Sequence, residues 1–235
     1  MLKHSSRSRT DGVRTDLRGV PFWSSPEIEA SISATIAHLE NKGVLAYPTE
    51  TVYGFGGAID RASVANLVAM KQRPDGKPFL LLISDSAMIE RMGLQLTRAA
   101  SLLAARFWPG PLTLVLSGGE GRVPPRLRGP EGGIAVRWTS HPGLQRLITA
   151  MGDPLTSTSA NRPGTPPAMK AAEIITQWAD ELTRGKIRLL DGGTLTPSAP
   201  STVVDCTNRV PRVIRPGAIP ASALRDSVPD LIGDQ

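Results

Sequence analysis

Three cations crowd the stretch Lys71-Gln72-Arg73-Pro74-Asp75-Gly76-Lys77, at the end of a helical pattern and just before a strand. Two readings fit them. As a solvated helix cap they complement the negative end of the helix dipole. As a phosphate clamp, the planar guanidinium of Arg73 would fork onto phosphate oxygens while the lysines act as mobile point charges. That mixture suits a triphosphate whose charge redistributes during reaction. A second polar cluster, Thr156-Ser157-Thr158-Ser159-Ala160-Asn161, ends a short strand with hydroxyls closed by an amide. It reads either as an anion-binding concavity or as a Ser/Thr turn with no ligand. Pro48-Thr49-Glu50-Thr51-Val52-Tyr53-Gly54 is a strand end flowing into hydroxyls that could hold a small polar ligand or only satisfy a turn. Finally, Pro200-Ser201-Thr202-Val203-Val204-Asp205 pairs with Val213-Ile214-Arg215-Pro216-Gly217, where Arg215 on an apolar strand end needs an anion, either a structural carboxylate or a ligand.

Other chemistries find little support. The chain has no G-x-x-x-x-G-K-[ST] phosphate loop, no G-x-G-x-x-G after a strand and no G-x-S-x-G elbow. Its three histidines, His4, His38 and His141, fall in a tail, on a helix and at a helix start, which leaves no histidine-based triad. Cys206, the single cysteine, follows Asp205 on a strand and reads as core. With one cysteine and no zinc-ligand spacing, a disulfide scaffold and a structural zinc site both fail, and no metal ligands are assigned. Trp108 and Trp178 read as packing residues.

These clusters need strands and helices to present them. Ser24-Ser25-Pro26-Glu27 carries a helix-start signal, and Ile28, Ile32, Ile36 and Leu39 continue at helical spacing to Gly43. Asp60 caps a second helix through Lys71, ended by Pro74; Thr97–Phe107, His141–Ala150 and Ala168–Trp178 are further helices. Strands are expected at Val44–Tyr47, Phe79–Ile83, Leu112–Leu116, Ile134–Arg137, Leu155–Ser157, Ile187–Leu190, Thr202–Asp205 and Val213–Arg215. The alternation, imperfect as it is, predicts an α/β (α+β) fold with a mixed sheet in one domain spanning 25–225, followed by a tail at 226–235. Ligands in such sheets bind at strand ends, where the four clusters lie.

The 235 residues carry a net charge of +6, and half of that excess sits in residues 1–25, so the body is only weakly basic. Residues 1–24, polar and Ser/Arg-rich, are expected to form a disordered basic arm. No apolar run approaches the ~20 residues of a membrane span and no secretory signal follows the early charges, so a cytoplasmic location is expected, with organellar targeting by the arm left open. Aromatic residues are 4% of the chain, few for a base-stacking surface.

PTETVYG at 48–54, KQRP at 71–74, WPGPLT at 108–113, AVR at 135–137, STSAN at 157–161, PSTVVD at 200–205 and IRPG at 214–217 together resemble the YrdC-like family, in this order and over nearly all of the domain. The resemblance implies a twisted mixed sheet with a positively charged concave cleft. It also implies the activity of threonylcarbamoyl-AMP synthases, which join L-threonine, bicarbonate and ATP into threonylcarbamoyl-AMP and pyrophosphate. A downstream transferase complex then uses the product on adenosine 37 of tRNA. By similarity, a Lys/Arg/Ser/Asn tetrad falls on Lys71, Arg73, Ser159 and Asn161. Arg73, Lys77, Ser159, Asn161 and Arg215 would hold the nucleotide, with Ile134 offering a backbone contact. Thr51, Arg137, Ser157 and Ser201 would hold threonine, with Arg137 as counter-ion to its carboxylate. Mg²⁺ would come with ATP. The chain departs from some longer relatives at Leu82, where those carry histidine, and at Pro167, where those carry serine, and it resembles the short, single-domain form. Alternative readings are a module of the same fold binding tRNA or double-stranded RNA, and a paralogue with another carbamoyl or nucleotide chemistry.

Overall fold

A computed structural model describes residues 20–21 and 25–233. The N-terminal residues outside these bounds, most of the expected arm, lie outside the described residues. Eleven strands, β1 (Val20–Pro21), β2 (Val44–Pro48), β3 (Tyr53–Gly56), β4 (Leu80–Ile83), β5 (Leu94–Gln95), β6 (Leu112–Gly118), β7 (Ile134–Trp138), β8 (Leu155–Ser159), β9 (Ile187–Asp191), β10 (Thr202–Asp205) and β11 (Arg212–Arg215), form one mixed sheet. Its order is β1-β9-β2-β3-β8-β4-β7-β6-β10-β11, with β5 added to β6. The helices are α1 (Ser25–Glu40), α2 (Arg61–Lys71), α3 (Ala87–Arg91), α4 (Arg98–Phe107), α5 (Pro142–Met151), α6 (Ala171–Gln177), α7 (Ala179–Thr183) and α8 (Ala221–Arg225). α1 and α2 pack on β2, α5 on β4, α4 on β6, and α6 and α7 on β9.

Local chemistry sets the helix ends. Asp60 accepts from the amides of Ala62 and Ser63 at 3.0 and 3.2 Å, and Thr97 from Ala100 at 3.2 Å, so both act as N-caps. α2 stops at Lys71, before Pro74, because Gln72 turns left-handed (φ 46°) and its amide closes back on the helix. The expected helix 168–178 starts later, at Ala171, and a second short helix follows Trp178. Glu173 Oε2 accepts from the Met169 and Lys170 amides (2.7 and 3.3 Å) and fixes that start.

Two readings change at the domain margins. Val20–Pro21, expected in the arm, run parallel to β9. Residues 226–233, expected as a tail, are packed: Val228 and Leu231 are buried and Ile232 bridges to Arg212.

The strand period of two splits the sheet into two chemistries. One row of register partners, Thr156, Leu81, Val136, Leu114 and Val204, is fully buried. The neighbouring row, offset by one residue, reads Ser157 and Leu80, then Leu82 and Arg137, then Thr113, Val203 and Arg215. The hydroxyls and arginines that the sequence scatters over sixty residues and more thus share one face.

Candidate active site

That second row floors a cleft of about 570 Å³, lined by Thr49, Thr51, Gly54, Arg73, Leu82, Arg137, Ser157, Ser159, Ser201, Arg215 and their neighbours. Seven expected site residues meet there: Thr51, Arg73, Arg137, Ser157, Ser159, Ser201 and Arg215. Leu82 and Pro167, the two departures from longer relatives, line it as well.

Each cation is held by carbonyls or hydroxyls. Arg73 donates from Nε to the Lys77 carbonyl (2.8 Å), from Nη2 to the Pro78 carbonyl (2.6 Å) and from Nη1 to Thr158 Oγ1 (3.0 Å), with its guanidinium 4.6 Å from the Phe79 ring centroid. Burial, then the charge of Arg126, lowers its pKa. Arg215 Nη2 donates to Ser201 through the carbonyl (2.7 Å) and Oγ (3.0 Å); burial, then Arg137, lowers its pKa. Ser201 Oγ in turn meets Thr113 Oγ1 at 2.9 Å. Arg137, only 4% exposed, donates from Nε to the Gly110 carbonyl at 3.1 Å, so the Trp-Pro-Gly-Pro turn supports it from below.

Four expected residues do not line the cleft. Lys71 is buried behind it, donating from Nζ to the Ser159 carbonyl (3.0 Å), to Asn161 Oδ1 (3.1 Å) and to the Asn161 carbonyl. It ties down the hydroxyl loop from within, and Ser159 Oγ completes the tie to Asn161 Oδ1 at 2.6 Å. Burial, then Arg73, pushes the Lys71 pKa down to about 8. Lys77 is exposed and contributes its carbonyl to Arg73. Ile134, expected to offer its backbone, has a fully buried side chain, and its strand neighbour Ala135, with the same parity as Arg137, lines the cleft. Asn161 stands behind Ser159 with Lys71 and is likewise outside the lining.

Glu50 is the residue the sequence reading passed over. Its Oε1 lies 2.5 Å from Arg137 Nη2, an ion pair close in distance but not aligned as a hydrogen bond. Burial acts to raise its pKa, but the charge of Arg137 and hydrogen bonds from backbone amides outweigh burial and hold the carboxyl below its usual value. The one signal for it was its place between two hydroxyls in the 48–54 cluster.

Cys206 is buried and its thiol pushed up to about 12 by burial, then Asp205, as expected of a core residue. Trp178 is fully buried edge-on to Phe55. Among the described residues no cluster of three or more His, Cys, Asp or Glu could hold a metal, and no helix is long and apolar enough to cross a membrane.

Gly217 lets the Arg215 end of β11 approach the Ser201 loop, because an added Cβ would lie 2.6 Å from Thr202 N and closer still to the Pro200 carbonyl. Gly217→Ala is expected to lose about 1–3 kcal/mol of stability in a denaturant titration. An unchanged midpoint would show that the approach is not tight.

The Sua5/YciO/YrdC family model, described as "Telomere recombination", matches residues 37–217. The chain belongs to this family. A Sua5/YciO/YrdC relative from Chromohalobacter salexigens named threonylcarbamoyl-AMP synthase is 40% identical over 177 residues, 74% of this chain and 91% of that protein. A Pyrococcus abyssi relative of the same name is 34% identical over 80% of this chain, which spans 54% of that protein. In structure, the chain is similar to P. abyssi Sua5 complexed with L-threonine (TM-score 0.78, 30% identity, 87% of this chain and 59% of that one). It is also similar to E. coli YciO (TM-score 0.70, 29% identity, 83% and 93%).

Proposed function

We propose that this chain is a cytoplasmic threonylcarbamoyl-AMP synthase, an adenylyl-transferring enzyme acting on L-threonine, bicarbonate and ATP. The observation that carries the reading is one cleft face bearing Arg73, Arg137 and Arg215 among serine and threonine hydroxyls, in a chain similar to synthases over most of its length. Three guanidiniums call for an anion-rich ligand set, and a triphosphate with an amino-acid carboxylate supplies one.

In this reading the threonine amine and bicarbonate give an N-carboxylate with loss of water. An oxygen of that group attacks the α-phosphorus of ATP, and the bond to the β-phosphate breaks to release pyrophosphate. The protein forms no covalent bond. It brings two anions together and stabilises charge on phosphate oxygens. Arg73 and Arg215 are assigned to the nucleotide, Arg137, Thr51, Ser157 and Ser201 to threonine, and Lys71 with Asn161 to the shape of the Ser159 loop. The lining offers hydroxyls and guanidiniums but, among the described residues, no carboxylate, a donor set that does not fit a dedicated Mg²⁺ site. Mg²⁺ therefore belongs to the ATP substrate, and the product passes to a transferase that acts on tRNA.

Lys71 gives this reading a pH signature. Its ammonium has three N–H donors for three acceptors, and the neutral amine has only two. As pH rises through about 8 the proton is lost and the loop tie weakens. kcat/KM for ATP is expected to fall roughly eightfold between about pH 7.5 and about pH 9. A flat profile over that range would contradict the role of the charged form. The direct test of the function is product formation by the purified chain.

A further inference from the structure

We propose that Glu50 is a positioning residue for the amino-acid substrate: it fixes the guanidinium of Arg137 so that one nitrogen edge is left for the substrate carboxylate. The proposal rests on the reading of Arg137 as the threonine counter-ion.

The tight turn between β2 and β3 presents Glu50. Thr49 Oγ1 accepts from the amides of Thr51 (3.1 Å) and Val52 (3.2 Å) and donates to the Val52 carbonyl (2.7 Å). Ser198 Oγ, from the loop before Ser201, donates to the Glu50 carbonyl at 3.1 Å. Held at both ends, the side chain reaches the segment before α5. Oε2 accepts from Thr139 Oγ1 (3.1 Å), and Oε1 accepts from the Ser140 amide (3.2 Å) and Ser140 Oγ (3.3 Å). The carboxylate is thus fixed before it meets Arg137, and it lies outside the residues that line the cleft.

Arg137 is then oriented from two sides. The Gly110 carbonyl takes Nε, Glu50 draws Nη2, and Nη1 makes no hydrogen bond to another described residue. Glu50 also offsets a charge that is 4% exposed, where an unaccompanied guanidinium would be costly. Partial neutralisation weakens the pull of Arg137 on a carboxylate, but Arg215 adds positive charge nearby, close enough that the charge of Arg137 lowers the Arg215 pKa after burial does. Orientation is the larger contribution. A purely architectural Glu50 would affect both substrates alike, whereas a positioning Glu50 affects the one that Arg137 holds.

The test is threonine and ATP binding by calorimetry, with steady-state KM for each, in wild type, Glu50→Gln and Ser140→Ala. Glu50→Gln keeps the shape and removes the charge. Its threonine Kd and KM should rise about tenfold while those for ATP stay within about twofold. Ser140→Ala, at an exposed position, removes one donor to Glu50 and should move threonine in the same direction by about two- to threefold, which decides the matter if Glu50→Gln does not fold. Equal shifts for both substrates, unchanged threonine values, or tighter threonine binding in the variants would overturn the proposal and leave the synthase reading intact. Wild type that binds ATP but no threonine would overturn the reading of Arg137 and the proposal with it.

Discussion

Arg73→Ala should lower threonylcarbamoyl-AMP formation by about 10²–10³-fold, the scale of losing one preorganised charge donor at a reacting phosphate. The structure gives this side chain its precision. Three hydrogen bonds to Lys77, Pro78 and Thr158 and the face of Phe79 hold the guanidinium flat against the cleft wall. A group already oriented before ATP arrives loses little entropy on binding it. Burial lowers its pKa, yet a guanidinium starts so high that it stays charged in the working range. Arg73→Lys should recover little, because an ammonium cannot reproduce the planar fork. Circular dichroism should show both variants folded, and threonine binding should persist. Full activity in a folded Arg73→Ala protein would remove the nucleotide assignment.

Arg137→Ala should raise the threonine KM by about 100-fold while the ATP KM changes by less than about threefold. On β7, Arg137 sits across the register from Leu82 on one side and one residue beyond the Val136–Leu114 pair on the other, which places its charge mid-floor between the hydroxyl loop and Arg215. The variant also strands the Glu50 carboxylate, about 20% exposed, without its cation. Stability should therefore drop by about 2–4 kcal/mol, and the split between the two KM values rather than the loss of rate is the diagnostic quantity. Similar increases for ATP and threonine would undo the division of the cleft.

The polar clusters were legible as candidates because they lie at strand ends, where ligands bind in such sheets, although each also had an architectural reading as a cap, a turn or an ion pair. What was less legible follows from local physics. β3 hides in the 48–54 cluster because a four-residue strand with two glycines has weak propensity. Gly54 and Gly56 are there because a Cβ would meet the Tyr47 ring or collide with the Thr156 carbonyl, contacts that exist only once the strands are assembled. Lys71 reads as a cap or a clamp in sequence, and only the return of β8 beside α2 supplies the carbonyls that bury it. The Ile134 strand is legible from its apolar run, and β parity turns that side chain to the core and leaves Ala135 on the cleft. Glu50 was passed over because its partners, Arg137, Thr139 and Ser140, lie almost ninety residues away, and a lone carboxylate in a turn carries no signal of its own.

The most direct test of the central claim is mass spectrometry of the products formed by the purified 235-residue chain with ATP, Mg²⁺, bicarbonate and L-threonine, alongside serine and no-amino-acid controls. The account predicts threonine-dependent threonylcarbamoyl-AMP together with pyrophosphate. ATP binding without any such product would contradict it, and would leave a cleft of the same shape doing different chemistry.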